Sequence, residues 1–356
     1  MLHDHNMQRC LELAKLGKGH VAPNPMVGAV LVYNDRIIGE GWHQKYGEAH
    51  AEVNCIRSVR KEDKHLISQS TLYVTLEPCS HIGKTPPCTD LIIQCKIPKV
   101  IIGCRDPFAQ VNGKGIEKLK AAGLDVEVGL LESDCKELNK RFFTFHTQQR
   151  PYIILKWAET ADGFIAPFAG AEGLRLLISN EYSNRLVHQW RSEEAAILVG
   201  TNTALLDNPE LTTRLWPGKS PIRLILDMNL RLPTSLKIFN GEVKTIIFNS
   251  VKQEANKNVQ YYKLEKDKNI VEQLMMALYD LKIQSVLVEG GAMLLQSFID
   301  AGVWDEARII NNEELSLRQA QGNNGLHAPV LNHGVKIFEQ KILSDRIEIY
   351  QPKHTD

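Results

Sequence analysis

From Met7, the apolar positions Met7, Cys10, Leu11 and Ala14 recur at i, i+3, i+4 and i+7, the stripe of an amphipathic helix. Gly17 stands where a C-terminal cap would close it. VGAVLVY (27–33) and RIIGEG (36–41) are strand-like runs separated by Asn34-Asp35, two residues that tolerate left-handed backbone. A hairpin is therefore predicted after the helix. Residues 50–60 read as a helix, LYVTL (72–76) and VIIGC (100–104) as short buried strands, and GIEKLKAAG (115–123) as a helix ending on Gly123. Helix and strand alternate, which predicts a layered α/β domain.

The pattern lapses across HTQQRP (146–151), where polar residues and a proline replace the apolar stripe. We place a boundary there, giving domains 1–147 and 151–356. The second half restarts with YIILKWA (152–158) and continues through AAILVG (195–200), IRLILD (222–227), TIIFN (245–249) and SVLVE (285–289), runs suited to strands buried on both faces. Helical stretches at 180–191, 269–281 and 292–301 lie between several of them, so a second α/β domain is expected. The polar run SLRQAQGNNG (316–325) reads as a surface loop.

Composition sharpens this picture in three ways. At roughly 150 residues per domain, a chain of 356 residues favours two domains. Lys plus Arg equals Asp plus Glu at 42 each, so no broad field draws nucleic acid or an anionic membrane, and a small-molecule substrate is expected. The polar start MLHDHNMQRC lacks the shape of a signal peptide, and no apolar run approaches the ~20 residues of a membrane span, so a cytoplasmic location is expected. All seven cysteines precede residue 136; their odd number and scatter do not suggest a disulfide framework, and thiols in a reducing compartment stay free for metal.

The chemistry gathers where those cysteines are. His50-Ala51-Glu52 opens a predicted helix, and Cys79 and Cys88 follow the LYVTL strand within LEPCSHIGKTPPC (76–88). One His and two Cys as ligands leave the fourth tetrahedral position of Zn2+ open for water, the pattern of catalytic sites. Zinc lowers that water's pKa towards neutrality, and Glu52, two residues from His50, can reach the water as general acid/base. H-x-E with P-C is half the signature of zinc nucleobase deaminases, but eight residues separate the cysteines here where two are usual. A closed structural site would need a fourth protein ligand, for which His81 is the only nearby candidate.

The N-terminal half resembles the deaminase domain of the bifunctional riboflavin-biosynthesis deaminase/reductase family through PNPMVGAVLV (23–32), GEGWHQKYGEAHAEV (39–53), YVTLEPCSHIGKTPPC (73–88) and DPFAQVNGKGI (106–116). The resemblance implies a cytidine-deaminase-like three-layer α/β fold. It also implies a diamino-pyrimidinone substrate carrying a ribosylamino 5′-phosphate, one amine of which is hydrolysed. Asn24, His43, His81, Lys84 and Asp106 match substrate-contacting positions of the family. Phe108 stands where many relatives carry Asn.

Residue patterns alone say less about the second half. VLVEGGAMLLQS (286–297) runs from a strand through two glycines into a helix, a turn that brings backbone N–H groups close to a phosphate but that also simply connects elements. This half resembles the family's reductase domain, similar in fold to dihydrofolate reductase, and WRSEEAAILVGTNTALLDNPELTTR (190–214) carries the match. That implies NADPH as cofactor and reduction of the ribosyl group to ribityl. By the resemblance, Ala158, Thr203, Asp207 and the run Gly291, Ala292, Met293, Leu294, Leu295, Gln296 and Ser297 contact cofactor. Arg191, Leu211, Arg214 and Glu289 contact substrate, the two arginines suiting a phosphate.

The chain departs from the family in GAEGLRLLISN (170–180), a longer loop with Arg175 and Leu177 in place of Ser and Trp, and at Met228, where Ser is common. Two further readings therefore stand beside the bifunctional one: a deaminase whose C-terminal domain has lost reduction, and a non-catalytic zinc-stabilised binding module. Nucleic-acid editing is disfavoured by the neutral charge. The family further implies a homo-oligomer, a dimer or tetramer.

Overall fold

The computed structural model describes residues 2–81, 86–167, 177–317 and 325–353. They form two compact units, Met1–Gln149 and Arg150–Asp356.

The first unit runs α1 (Leu2–Lys15), β1 (Gly28–Tyr33), β2 (Arg36–Trp42), α2 (Ala51–Ser58), β3 (Thr71–Leu76), α3 (Cys88–Gln94), β4 (Lys99–Cys104), α4 (Lys114–Ala121), β5 (Asp125–Val128), α5 (Glu132–Leu138) and α6 (Lys140–Gln148). The sheet order is β2-β1-β3-β4-β5, antiparallel at β2-β1-β3 and parallel from β3 to β5. Asn34 and Asp35 both take positive φ, 45° and 62°, which makes the tight β1–β2 turn that their sequence suggests.

Successive residues of the inner strands bury on opposite faces. Ala29, Leu31, Leu72, Val74, Val100 and Ile102 meet α2, α3 and α4, whereas Val30, Val32, Tyr73 and Ile101 meet α1 and α5. The result is three layers with the sheet in the middle, the architecture expected from the alternating pattern.

The second unit has a ten-stranded sheet of order β11-β12-β10-β9-β8-β13-β6-β14-β17-β16. Its elements are β6 (Tyr152–Thr160), β7 (Phe164–Pro167), α7 (Glu181–Glu193), β8 (Ala196–Gly200), α8 (Thr201–Asp207), β9 (Ile222–Leu226), β10 (Thr245–Asn249), β11 (Glu254–Ala255), β12 (Val259–Lys263), α9 (Ile270–Asp280), β13 (Ser285–Gly290), α10 (Ala292–Asp300), β14 (Glu306–Asn312), β15 (Gly325–His327), β16 (Gly334–Ile342) and β17 (Asp345–Pro352). The strands from β12 to β14 are parallel, and β17 and β16 extend the sheet as an antiparallel hairpin. β7 and β15 pair separately. One face of the large sheet packs on α9 and α10 through Leu155, Leu198, Phe248, Leu274 and Phe298, and the other packs on α7 through Ile154, Val187, Trp190 and Leu287.

The five buried runs of the second half are strands β6, β8, β9, β10 and β13, and its three helical stretches are α7, α9 and α10. Most of the polar run at 316–325, and residues 170–176 of the departing loop, lie outside the described residues. No helix among the described residues is long and apolar enough to cross a membrane.

One close approach positions the first unit's chemistry. A Cβ on Gly41 of β2 would lie 2.2 Å from Cys55 N and 2.6 Å from Ala51 O, so only glycine lets β2 sit this close under the first turns of α2. Gly41→Ala must move α2 or strain β2, an overpacking cost of about 3 kcal/mol. We expect the denaturant midpoint of the first unit to fall accordingly, with zinc lost at lower denaturant than in the parent chain. An unchanged midpoint would refute this reading of the contact.

Candidate functional site

In the first unit, His50 is the residue immediately preceding α2, Glu52 lies in its first turn, Cys79 follows β3, and Cys88 opens α3. α2 and α3 pack on each other, and the ligands at their starts, His50 and Cys88, converge with Cys79. His50 Nδ1 is 3.6 Å from Cys79 Sγ and 3.4 Å from Cys88 Sγ, and the three ligand atoms lie within 4.8 Å of one another. A tetrahedral zinc with sulfur at about 2.3 Å and nitrogen at about 2.0 Å separates such atoms by about 3.5 Å, so the set fits the ion. The Cys88 backbone N–H donates to Cys79 Sγ at 3.3 Å, and Thr89 donates through N–H and Oγ1 to Cys79 O at 3.2 Å each. The end of β3 is thereby tied to the start of α3.

Protons are shared across this cluster. The Cys79 thiol is drawn down to about 4, chiefly by a hydrogen bond from Cys88 and, against burial, by His50. Cys88 is pushed up because it carries that hydrogen bond and is buried. Thiols that already give up or share protons suit a cation, which requires them as thiolates. Glu52 is buried at 3% exposure, and burial raises its carboxyl, helped by negative charge on Cys79. A carboxyl held nearer to neutrality is better matched to proton transfer than an ordinary glutamate.

The other residues expected here are placed differently from one another. His43, 3% exposed, has Nδ1 3.1 Å from Ala49 O and Nε2 3.1 Å from Asn24 Nδ2. The carbonyl can only accept, so Nδ1–H donates to it and Nε2 accepts from the Asn24 amide. Burial lowers its pKa, which keeps this neutral tautomer. The His43 ring stands edge-on to His50 at 5.4 Å. Asp106 is buried, accepts the Phe108 N–H at 2.8 Å, and is pushed up to about 7 by burial and by the charges of Glu77 and Cys79.

His81 Nδ1 is buried without a partner among the described residues, and Lys84 lies outside them. Phe108, beside His81, is marked in the sequence only as a departure from the family, and His146, beside Phe108, carries no signal there. The Phe108 ring is 6.3 Å from that of His81 and 5.0 Å from that of His146, which also packs on Phe142 at 4.5 Å.

In the second unit a cleft of about 770 Å3 opens at the C-terminal ends of β8, β9 and β13, where α/β sheets bind ligands. Of the residues expected at a cofactor, Thr203, Gly291, Met293, Leu294 and Ser297 line it, Gly291 with φ 75°. Ala158 is half-buried on β6, Asp207 is exposed at the end of α8, and Ala292 and Gln296 lie on α10 outside the lining. Leu295 is 1% exposed in the core, so its side chain is spent on packing. Gly291 and its neighbours provide free backbone N–H groups at the start of α10, Thr203 a hydroxyl and Arg231 a cation, a donor set that fits a dinucleotide phosphate. Met228, where Ser is common in the family, also lines the cleft.

Arg191 and Glu289 form a buried bidentate pair, Nε–Oε1 at 2.7 Å and Nη2–Oε2 at 2.6 Å, with Nη1 donating to Thr212 O at 3.3 Å. The two arginines are therefore held differently: the fork of Arg191 is engaged within the protein, whereas the guanidinium of Arg214 reaches the half-buried Glu210 at 3.4 Å. Leu211 is 2% exposed at φ 54°, so it has only backbone to offer a ligand.

Sequence reasoning missed Lys156. Its amine is enclosed beside Glu289 and Arg191, burial lowers its pKa, and no hydrogen bond holds it among the described residues. A lone lysine in an apolar strand carries no motif. It could have been noticed only as a charge at an otherwise buried strand position.

His188 is 1% exposed, accepts the Arg214 N–H at 3.2 Å through Nδ1, and is lowered to about 4 by burial and then by Arg191 and Arg214. Its folded pKa lies below the unfolded value of about 6.5, so the unfolded chain binds more protons between those values and stability falls as pH drops through them. The fraction of the second unit that stays folded after a heat pulse, read by near-UV circular dichroism, should decline from pH 7 to pH 5. His188→Gln, which cannot titrate, should flatten that decline; an equal decline in both chains would refute the assignment.

Two family models match the chain: the cytidine and deoxycytidylate deaminase zinc-binding region over residues 2–104 and the RibD C-terminal domain over residues 151–312. Riboflavin biosynthesis protein RibD of Aquifex aeolicus is 40% identical over 350 residues, covering 94% of each chain. The Escherichia coli protein of the same name is 35% identical over 339 residues, covering 90% of each. A solved diaminohydroxyphosphoribosylaminopyrimidine deaminase/5-amino-6-(5-phosphoribosylamino)uracil reductase from Thermotoga maritima is similar to the whole chain, with a TM-score of 0.86, 37% identity and 99% of each chain covered.

Proposed function

The chain belongs to the family of bifunctional riboflavin-biosynthesis deaminase/reductases, and on that premise we propose how its residues divide the two reactions. It is an enzyme with a zinc-dependent aminohydrolase activity and an NADPH-dependent reductase activity. A deaminase alone and a non-catalytic zinc module are both disfavoured, since the reductase-domain match spans 151–312. We assign deamination to residues 1–147 and reduction to residues 151–356. The substrate is 2,5-diamino-6-ribosylamino-4(3H)-pyrimidinone 5′-phosphate, and the deaminated product is then reduced from ribosyl to ribityl. We also expect a cytoplasmic homo-oligomer.

The convergence of His50, Cys79 and Cys88 beside a buried Glu52 carries the deaminase reading. These three residues would hold the metal, which when bound supplies the Lewis acidity that makes water a nucleophile near neutral pH. Glu52 takes a proton from the attacking water and delivers one to the departing amine, a role that suits a carboxyl raised by burial. Neutral His43, locked through Ala49 O and Asn24, presents a fixed edge to the base. Asp106, His81 and Lys84 bind the remaining polar groups of the substrate.

In the second unit, the start of α10, Thr203 and Ala158 bind the cofactor, which when bound supplies the hydride. Arg214, with a fork that is not buried in an ion pair, takes the substrate phosphate, while Arg191 holds Glu289 at the sugar. Although burial pushes a carboxyl up, Arg191 pulls Glu289 below the ordinary range, with Lys156 adding, so Glu289 stays an acceptor. Lys156 is the group placed to give a proton where reduction leaves an oxygen negative.

Two variants separate the halves. Glu52→Gln should lower ammonia release about 1,000-fold with one zinc retained per chain and NADPH oxidation of the deaminated intermediate intact. Unchanged ammonia release with zinc bound would remove Glu52 from catalysis. Lys156→Met should do the reverse, lowering NADPH oxidation about 100-fold while ammonia release is preserved. Wild-type NADPH oxidation in that variant would reject the role given to Lys156.

A further inference from the structure

Between the end of β3 and the metal-ligating Cys79 lies Glu77, a 4% exposed carboxylate with an unusual set of partners. Its Oε2 accepts the backbone N–H groups of Asp106 at 3.2 Å and Gly113 at 3.0 Å, and its Oε1 those of Gly115 at 2.9 Å and Ile116 at 3.3 Å. Its own N–H donates to Cys104 O at 3.0 Å. One side chain thus gathers both ends of the 106–116 segment. Three of the four donors belong to the start of α4, whose cap residue Gly113 offers no side chain of its own, so Glu77 also serves that helix as an anionic cap.

The packing leaves no slack. A Cβ on Gly115 would lie 2.1 Å from Pro78 O and 3.1 Å from Glu77 Oε1, so the helix start is pressed directly on the residue preceding Cys79. Cys79 follows Glu77 by two residues along the chain, and Asp106 is one hydrogen bond away from it. We infer that Glu77 is a positioning residue for deamination: it fixes the Asp106 carboxylate relative to the Cys79 end of the metal site. It touches no substrate itself. This inference rests on the reading of Asp106 as a substrate contact and adds to it the element that sets where Asp106 stands.

Glu77→Gln is nearly isosteric, yet whichever way its amide turns, an NH2 group faces two of the four N–H donors. The test is a double-mutant cycle with Asp106→Asn in the full chain, reading zinc content, KM and kcat for ammonia release, and NADPH oxidation as a control for the second unit. Glu77→Gln alone should raise KM about tenfold with a smaller change in kcat, one zinc per chain and NADPH oxidation unchanged. In the Asp106→Asn background the same change should cost less than about twofold, because the group that Glu77 positions is already gone.

A further tenfold loss in that background would overturn the inference while leaving Asp106 a substrate contact. A wild-type KM in Asp106→Asn alone would refute the reading of Asp106, and the inference with it. If Glu77→Gln loses zinc, the cycle is repeated with Glu77→Asp; zinc loss in both variants would place Glu77 in support of the ligand strand and overturn the role proposed here.

Discussion

The first unit depends on two helix N-termini meeting the end of one strand. α2 and α3 pack together, and the ligands at their starts converge with Cys79, three residues beyond β3, so that an N–H left over at the start of α3 points at sulfur. Cys88 N–H on Cys79 Sγ is that interaction in its most direct form. It explains why the ligands can be so far apart in the chain: His50, Cys79 and Cys88 come from three segments, and each is held by backbone geometry that the core enforces. Gly41 beneath α2 and Gly115 against Pro78 are where two backbones must come closer than any side chain permits.

The second unit solves a different problem. Its candidate site gathers Lys156 and Glu289 from strands that are otherwise apolar and Arg191 from α7, and a buried charge is tolerable only when paired. Arg191 and Glu289 pair with both forks used, which keeps Glu289 ionised and leaves Lys156 beside it without a hydrogen bond among the described residues. Neutral His188, wedged against the same arginine, holds the backbone of Arg214. Arg191, His188 and Arg214 thus form a chain of dependence: the backbone that carries Arg214, the cation proposed for the phosphate, is held by a histidine that the buried arginine helps keep uncharged.

How much of this was legible in the sequence follows from the range of each signal. Strands buried on both faces announce themselves as apolar runs, so β3, β4, β6, β8, β9, β10 and β13 were readable. β16 was not, because it is exposed along nearly its whole length and shows no alternation. The short helices α3, α5 and α8 span seven residues each, too few turns for periodicity to register. The metal set was readable because its chemistry is rare, whereas the contacting positions were suggested only by a family phrase. What neither route supplied was pairing. Arg191 and Arg214 look alike in a motif; only the fold shows that one is already bound to Glu289. Glu77 looks like a fragment of the cysteine phrase until four N–H groups are seen converging on it.

Phe108 illustrates the same limit from the other side. A phenylalanine where relatives carry an amide removes a hydrogen-bonding group, and from the sequence that reads only as a missing contact. In the fold the ring packs edge-on to His81 and tilted against His146, which in turn meets Phe142 edge-on. Its backbone meanwhile still donates to Asp106 and still accepts from Val111 and Asn112. The turn that carries Asp106 is therefore built by main-chain bonds and by the Glu77 carboxylate, none of which depends on the side chain at 108. That separation of scaffold from wall lets the chain exchange an amide for an aromatic ring beside His81 without disturbing where Asp106 stands.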